Sequence, residues 1–465
     1  MHSHGQYARA PTSDPDNNLF PRTIPTPPES PPPHAKSVSD HDLINIPLSV
    51  TSSPDDGEKH AVPKKRSAGG NKLLYLEGLR GLAALWVVNE HFSGLLHLFP
   101  SGIVRDTLRL LIAPDALPVP IFYVLSGRVL VNGFIARRDP RMLASAAFRR
   151  PFRLGLPIYI ALLAHIIFFH AGWYEVADQT KEIVGGWWFG KPTKVGYEMT
   201  SVLGFIWAIP RLLFFSVMPE HPVGVTWTIP IEFIQSYSVY LLTFVASFQP
   251  SRKYLMYTLA LLWSWITLSW SCAFFFGLIL AELAHDGHLR RLTHMRRIWI
   301  VRAALVAWIG IGILGDLGEH KVDWWLEGVW MKGWLPNPDN GSLQQFPSGL
   351  RQFWQYKPRG GSISAAAVVL IEITPQLQTL LSNRFFQFLG KVSFMMYLLH
   401  PVMQFSLGSF VLGTIYGRVP DWICGVLTYG VTMGVIFGVS LGAYNVFDEP
   451  SVRAGKWLHE RLFKP

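Results

Sequence analysis

The sequence has few charged side chains for its length. Only 15% of its 465 residues are Asp, Glu, Lys or Arg, whereas 49% are hydrophobic and the mean hydropathy is +0.24. Soluble domains carry about 25% charged residues, so this composition argues against a soluble enzyme and indicates an integral-membrane protein. The net charge of +10 then fits cytosolic flanks beside anionic lipid, and not a nucleic-acid site.

Cysteine and the common catalytic motifs are also scarce. The two cysteines, Cys272 and Cys424, lie in apolar segments, which excludes a disulfide framework and argues against a cysteine-ligated zinc site. The HExxH and Walker patterns do not occur. We therefore expect no bound metal ion and no tightly bound cofactor.

The first part of the chain differs from the rest in composition. Residues 1–70 are rich in Pro and Ser and have few large apolar side chains, so they are predicted to form a disordered tail. No apolar stretch there resembles a signal peptide, which places the tail in the cytosol. Residues 71–465 are predicted to form one all-α membrane domain. The basic run "KKR" at 64–66 fits a positive flank of the first helix, and a localisation signal is the less favoured alternative.

Apolar runs mark the candidate membrane segments. They lie near 81–99, 117–136, 154–171, 201–218, 229–247, 255–270, 271–285, 298–315, 362–380, 393–413 and 421–446. The distribution of Lys and Arg decides which of them cross the bilayer.

Positive segments fall on the cytosolic side only if one candidate does not span. Six arginines lie between 137 and 153, and further basic clusters occur at 251–253 and 288–297. All face the cytosol if 201–218 is re-entrant or interfacial, and Pro210 and Arg211 inside that segment suggest a broken helix. The sequence thus predicts about ten spans with both termini cytosolic, in the endoplasmic reticulum or another endomembrane.

Two long loops, 172–200 and 319–361, then face the lumen or exterior. The second contains Asn340 in the sequon Asn-Gly-Ser, which predicts a glycosylation site. Both loops are rich in Trp, a composition typical of the membrane interface, although these rings could instead shape a substrate site.

The first apolar segment carries polar groups that are costly inside a membrane. In "LEGLRGLAALWVVNEHF" (76–92) Arg80 lies near the start, and Glu90 and His91 lie near the end. Arg80 and His91 differ by only about 20° around a helix and lie roughly 16 Å apart along its axis. They can therefore line one cavity, with Arg80 at its cytosolic mouth. Intramembrane ionisable groups indicate function, but a hydrogen bond between helices would also explain His91. Glu90 faces elsewhere and fits a packing role.

Other polar residues occur in later apolar segments. Arg150 and Arg153 are three residues apart and could bind phosphate, although ordinary positive flanking charge explains them too. Glu232 lies just inside a span. His400 lies inside another, with Tyr397 on the same helical face.

Six segments, in order over about 75–450, resemble motifs of the acyltransferase-3 family of integral-membrane acyltransferases, in its fungal-type members. They are "EGLRGLAALWVVNEHF", "IFYVLSGRVL", "RRPFRLGLP", "TWTIPIEF", "FFGLILAE" and "FLGKVSFMMYLLHPV". Two positions depart from the family pattern, because Arg128 replaces the usual Phe and Thr228 the usual Ser. Arg128 inside a span needs a partner or an anionic ligand.

The resemblance implies acyl transfer from acyl-CoA, as co-substrate, to a hydroxyl group. Its catalytic histidine corresponds to His91, which we expect to act as general base or to carry the acyl group itself. We expect the phosphates of acyl-CoA to bind Arg80, Arg150 and Arg153. Glu232 is expected to orient an imidazole or the acceptor. The expected substrate-binding residues are Ser126, Arg128, Tyr397 and His400.

The sequence identifies the acceptor less closely than the type of reaction. By analogy with the family, we expect a short acyl group, acetyl, to reach a small molecule such as a secondary metabolite. Acylation of a carbohydrate, cell-wall or lipid acceptor is the alternative. A multi-span transporter would predict a repeat between the two halves, which the sequence does not show, and an inactive membrane scaffold is the remaining possibility.

Overall fold

The computed structural model describes residues 73–112, 114, 117–184, 201–215, 224–267, 269–314 and 358–463. Every regular element in these ranges is helical, which confirms the all-α prediction for this part of the chain. The tail 1–70 and Asn340 lie outside the described residues, so the predictions made for them stay predictions.

The described part of the chain forms a series of helices. In chain order the α-helices are α1 (Leu74–His91), α2 (Ile103–Ile112), α3 (Pro118–Leu130), α4 (Asn132–Arg137), α5 (Pro140–His170), α6 (Ala177–Val184), α7 (Val202–Phe215), α8 (Thr228–Ser247), α9 (Lys253–Ile266), α10 (Ser271–His285), α11 (His288–Thr293), α12 (Ile298–Leu314), α13 (Pro358–Glu372), α14 (Pro375–Leu381), α15 (Arg384–Met403), α16 (Ser409–Ile415), α17 (Asp421–Ala443) and α18 (Glu449–Phe463). Two π-helical turns, Gln404–Gly408 and Tyr444–Asp448, connect α15 to α16 and α17 to α18.

Helices of membrane-spanning length and apolarity are fewer than the sequence predicted. Among the described residues there are 5, or up to 6 if a bent pair counts as one span. They are Pro118–Arg137, Pro140–His170, Val225–Ser247, Arg384–Ile415 and Asp421–Phe463. The prediction of about ten spans is not confirmed. The helix α1 carries Glu77, Arg80 and Glu90, and α9 and α10 have only 14 and 15 residues.

The segment 362–380, predicted as one span, is bent. The helices α13 and α14 meet at 97°. Pro375 disfavours helical geometry in the residue before it, and Thr374 is extended. The Gln378 amide then donates to the carbonyl oxygens of Ile371 and Glu372 at 3.0 and 2.8 Å, which satisfies the end of α13.

The broken helix predicted at Pro210 is wrong. The helix α7 continues through Pro210, and at 14 residues it is a short apolar helix. A proline cannot donate to the carbonyl four residues before it, which here is Ile206. The hydroxyl of Tyr159 on α5 donates to the Ile206 carbonyl instead. This replacement explains how α7 tolerates the proline.

Glycines allow a very close helix contact between α1 and α15. A Cβ atom on Gly81 would lie 2.3 Å from the backbone nitrogen of Gly390, and one on Gly390 would lie 2.4 Å from the carbonyl oxygen of Glu77. Only glycine permits this approach, as small residues do elsewhere in membrane helices. The same holds between α3 and α10, where a Cβ on Gly127 would lie 2.0 Å from the carbonyl oxygen of Phe274.

Charged residues join three segments at one end of the bundle. Arg138, just after α4, donates two hydrogen bonds of 2.8 Å to Glu282. Lys253, at the start of α9, donates to Glu282 and to Asp286 at 2.8 and 2.7 Å. Hydrogen bonding to Glu282 raises the pKa of Arg138. Arg138 and Lys253 thus lie at the same end, which is what the predicted cytosolic placement of both basic segments requires.

Candidate active site

The site begins where α1 and α15 end side by side. His91 is ten residues after Gly81, and His400 is ten residues after Gly390. Because the two helices run parallel from that contact, equal numbers of residues bring the histidines to the same level. Their ring centroids lie 4.9 Å apart with an angle of 59° between the planes. His91 is half-buried and His400 is fully buried.

A backbone carbonyl lies beside Nδ1 of each ring. Nδ1 of His91 lies 2.8 Å from the carbonyl oxygen of Val87, and Nδ1 of His400 lies 3.2 Å from that of Met396. A carbonyl can only accept, so each Nδ1 must carry the proton. In neutral His91 the nitrogen that can accept a proton is therefore Nε2. The Gln404 amide donates to the His91 carbonyl at 2.6 Å and ties the end of α1 to the π-helical turn after α15.

The predicted phosphate-binding arginines converge at the other end of the site. Arg150 is buried and donates to Oε1 of Glu232 at 2.7 Å. Arg80 interacts electrostatically with Glu232, Arg150 and Asp448, and Arg153 interacts with the same two carboxylates and with both other arginines. We call these five residues the arginine cluster. Glu77 also interacts with Arg80. The cluster brings three guanidinium groups together, and guanidinium groups are strong ligands of phosphate.

A small cavity of about 30 Å³ lies between the arginine cluster and the histidine pair. Its polar lining comes from Tyr123, Thr228, Glu232 and Tyr397, and apolar side chains of α3, α8 and α15 complete it. The Tyr397 hydroxyl lies 2.7 Å from that of Thr228, and its ring lies 6.2 Å from His400. The volume has room for about two water molecules, so a larger ligand requires the walls to move.

Glu232 belongs to the arginine cluster. Besides Arg150, its Oε1 accepts a hydrogen bond of 3.1 Å from the Ser126 hydroxyl. The carboxylate thus links α3, α5 and α8. Its predicted role in orienting an imidazole or the acceptor stays a prediction, and so does the substrate-binding role of Ser126.

Arg128, the departure from the family pattern, has a partner within the protein. Its Nε donates to Oε1 of Glu372 at 2.8 Å, and both side chains are about 5% exposed. The Tyr75 hydroxyl donates to the other carboxylate oxygen at 2.9 Å, and Arg128 also donates to Asn132 at 3.2 Å. A paired buried arginine is accounted for without an anionic ligand. Its predicted role in binding substrate is not tested, and it does not line the cavity.

The structure brings together residues that are far apart in the sequence. Residues from the first, third and fourth family motifs meet in the arginine cluster: Arg80, Arg150, Arg153 and Glu232. Tyr397 lines the cavity, and His400 packs against His91. Asp448 and Gln404 were missed, because each lies in a π-helical turn that hydrophobic periodicity does not reveal. Such turns occur often at functional sites. The described residues contain no group of three or more His, Cys, Asp or Glu side chains placed to hold a metal ion.

The long apolar helices indicate an integral-membrane protein. Residues 73–442 match the acyltransferase-3 family, described as an acyltransferase domain, and the chain belongs to this family. It is also similar to the O-acetyltransferase PaAT-1 of Phomopsis amygdali, with 26% identity over 445 residues that cover 84% of this chain and 85% of that protein. No solved structure matches the chain.

Proposed function

We propose that this protein transfers a short acyl group, acetyl, from acyl-CoA to a hydroxyl group of a small molecule such as a secondary metabolite. Family membership and the similarity to an O-acetyltransferase support O-acyl transfer. The identities of the donor and the acceptor go beyond that support and are proposed. The alternative acceptor is a carbohydrate, cell-wall or lipid hydroxyl.

The placement of Arg80 and His91 on α1 supports acyl-CoA as the donor. Arg80 lies in the arginine cluster, and His91 lies eleven residues later on nearly the same face. Acyl-CoA has phosphates at one end and a thioester at the end of a long flexible arm. Phosphates bound to Arg80, Arg150 and Arg153 would therefore leave the thioester near His91, since guanidinium groups are strong phosphate ligands.

The chemistry then follows from the protonation state of His91. Its Nε2 accepts the proton of the acceptor hydroxyl while the oxygen attacks the thioester carbonyl carbon. The tetrahedral intermediate collapses, the carbon–sulfur bond breaks, and the proton passes from Nε2 to the departing thiolate of CoA. The products are the ester and free CoA. In the alternative pathway, Nε2 of His91 first takes the acyl group from CoA and then passes it to the acceptor hydroxyl.

The placement in the membrane is part of the same proposal. About ten spans, a cytosolic arginine cluster and an endomembrane location would give the site access to cytosolic acyl-CoA. The basic segments that meet at Glu282 support a common side for the loops around α4 and α9.

The experiment compares membranes containing the protein with matched membranes lacking it. Both are incubated with acetyl-CoA and an extract of small molecules from a strain in which the gene is deleted. We expect thiol release together with a product heavier than its precursor by one acetyl group. Uptake of a compound without thiol release would identify a transporter, and acylated polysaccharide or lipid in place of a small product would identify the alternative acceptor. The proposal would be contradicted if no acyl-CoA gave thiol release and none gave an acylated product.

A further inference from the structure

His400 is a buried polar residue that the proposed chemistry leaves unused. Its side chain is fully buried, and its Nε2 has no hydrogen-bond partner in the described structure. A buried polar atom without a partner carries a cost in free energy. Its ring neighbours are His91 at 4.9 Å and Tyr397 at 6.2 Å. The cost therefore falls beside the histidine that the proposed function makes the base.

The hydrogen bonds define what His400 presents to His91. The Nδ1 proton of His400 is held by the Met396 carbonyl, so its Nε2 carries a lone pair and can only accept. When His91 takes a proton on its own Nε2, it becomes a cation with an additional N–H group. A neighbouring ring that can accept stabilises this form, whereas a ring that could only donate would oppose it.

We propose that His400 is a positioning residue for His91, holding its ring against rotation and placing a lone pair beside the cation that His91 becomes during transfer. The proposal rests on the proposed function. His400 neither takes nor keeps the proton, which still passes from the acceptor hydroxyl through His91 to the CoA thiolate. Its role is expressed in turnover and not in binding of the donor, because the arginine cluster lies at the other end of α1.

Two matched substitutions separate acceptor chemistry from packing. In His400→Gln the amide oxygen reaches about as far as Nε2, whereas in His400→Asn the shorter amide reaches only the level of Nδ1. His165→Asn is the control, because His165 is also fully buried with an unpartnered Nε2, but its neighbour is Tyr174. Each variant is expressed in membranes, its amount and melting midpoint are measured, and kcat and KM for acetyl-CoA are determined.

We expect His400→Asn to lower kcat by about 10²-fold, because it weakens general-base catalysis without removing the base. KM for acetyl-CoA should stay within about twofold, since donor binding lies elsewhere. The kcat of His400→Gln should be at least about tenfold higher than that of His400→Asn. His165→Asn should have the kcat of the wild type.

Equal kcat in His400→Gln and His400→Asn would overturn the proposal, as would a change confined to KM. Loss of activity in His165→Asn at unchanged protein amount would do the same, because it would make the effect one of general packing. The proposed function fails separately: it is contradicted if the wild-type protein consumes no acyl-CoA. Active wild-type protein, inactive His91→Ala and fully active His400→Asn would overturn only the role of His400.

Discussion

Gly81 and Gly390 lie opposite each other where α1 and α15 touch, so closely that a Cβ on Gly81 would be 2.3 Å from the Gly390 backbone nitrogen. Both histidines of the candidate site follow ten residues after these glycines. The contact therefore determines whether His91 and His400 can meet. It also explains why His91 near the end of α1 is tolerated, because it faces His400 on the neighbouring helix.

Substitution at this contact should damage both stability and activity. We expect Gly81→Ala to lower the free energy of unfolding by about 1–3 kcal/mol, because the added methyl group meets backbone atoms that cannot move aside. Gly430→Ala on α17 is the control, since its Cβ would meet nothing within 4 Å. Melting midpoints and acyl-transfer rates of the purified proteins check this. Equal midpoints for the two variants would contradict the importance of the contact.

Arg150 should matter for binding of the donor. Its loss removes a charge-assisted contact worth roughly 1.5–3 kcal/mol, so KM for acyl-CoA should rise about tenfold or more in Arg150→Ala. Arg149→Ala is the matched control, because Arg149 carries the same charge one residue earlier but donates to the Ser145 carbonyl. Steady-state kinetics in membranes measure the effect. An equal change in both variants would mean that general positive charge, and not the arginine cluster, binds the donor.

Asp448 should act in the opposite direction. It contributes a negative charge close to Arg80 and Arg153, which opposes the binding of phosphates. In Asp448→Asn we expect KM for acyl-CoA to fall several-fold and the inhibition by added salt to become steeper. The conservative variant Asp448→Glu should behave like the wild type. A raised KM in Asp448→Asn would show that the carboxylate holds the arginines in place instead.

Asn340 tests the predicted orientation in the membrane. Expressed in a eukaryotic host, the wild-type protein should lose electrophoretic mobility through one glycan that a glycosidase removes, and Asn340→Gln should show no such change. A second variant with a sequon placed in the tail 1–70 should stay unmodified. Modification of the tail sequon with none at Asn340 would reverse the proposed topology.

Local patterns predicted much of the fold and part of the site. Helical periodicity placed Arg80 and His91 on one face of α1, and low charge content indicated membrane helices. The cost of burying Arg128 predicted a partner or an anionic ligand, and the structure shows a partner, Glu372. These inferences succeed because each depends on residues close together in sequence or on a single energetic cost.

Contacts between distant residues could not be read in the same way. Glu372 lies 244 positions from Arg128, and nothing in either segment identifies the other. The pairing of α1 with α15 depends on a glycine contact that becomes visible only when the helices are placed together. Pro210 misled the prediction because Tyr159, on another helix, satisfies the carbonyl that the proline leaves free. The small residues Gly78, Gly81 and Gly390 indicated that some helices pack closely, but they did not identify which helices pair.

The most direct measurement is the rate of acyl transfer in membranes from wild-type protein and from His91→Ala at matched amounts. With His91 as base or acyl carrier, the variant should lose about 10²–10⁴-fold in kcat while KM for acyl-CoA stays close to the wild-type value. His97→Ala, a histidine on the short helical turn after α1, should keep full activity. Full activity in His91→Ala would contradict the catalytic assignment of this residue.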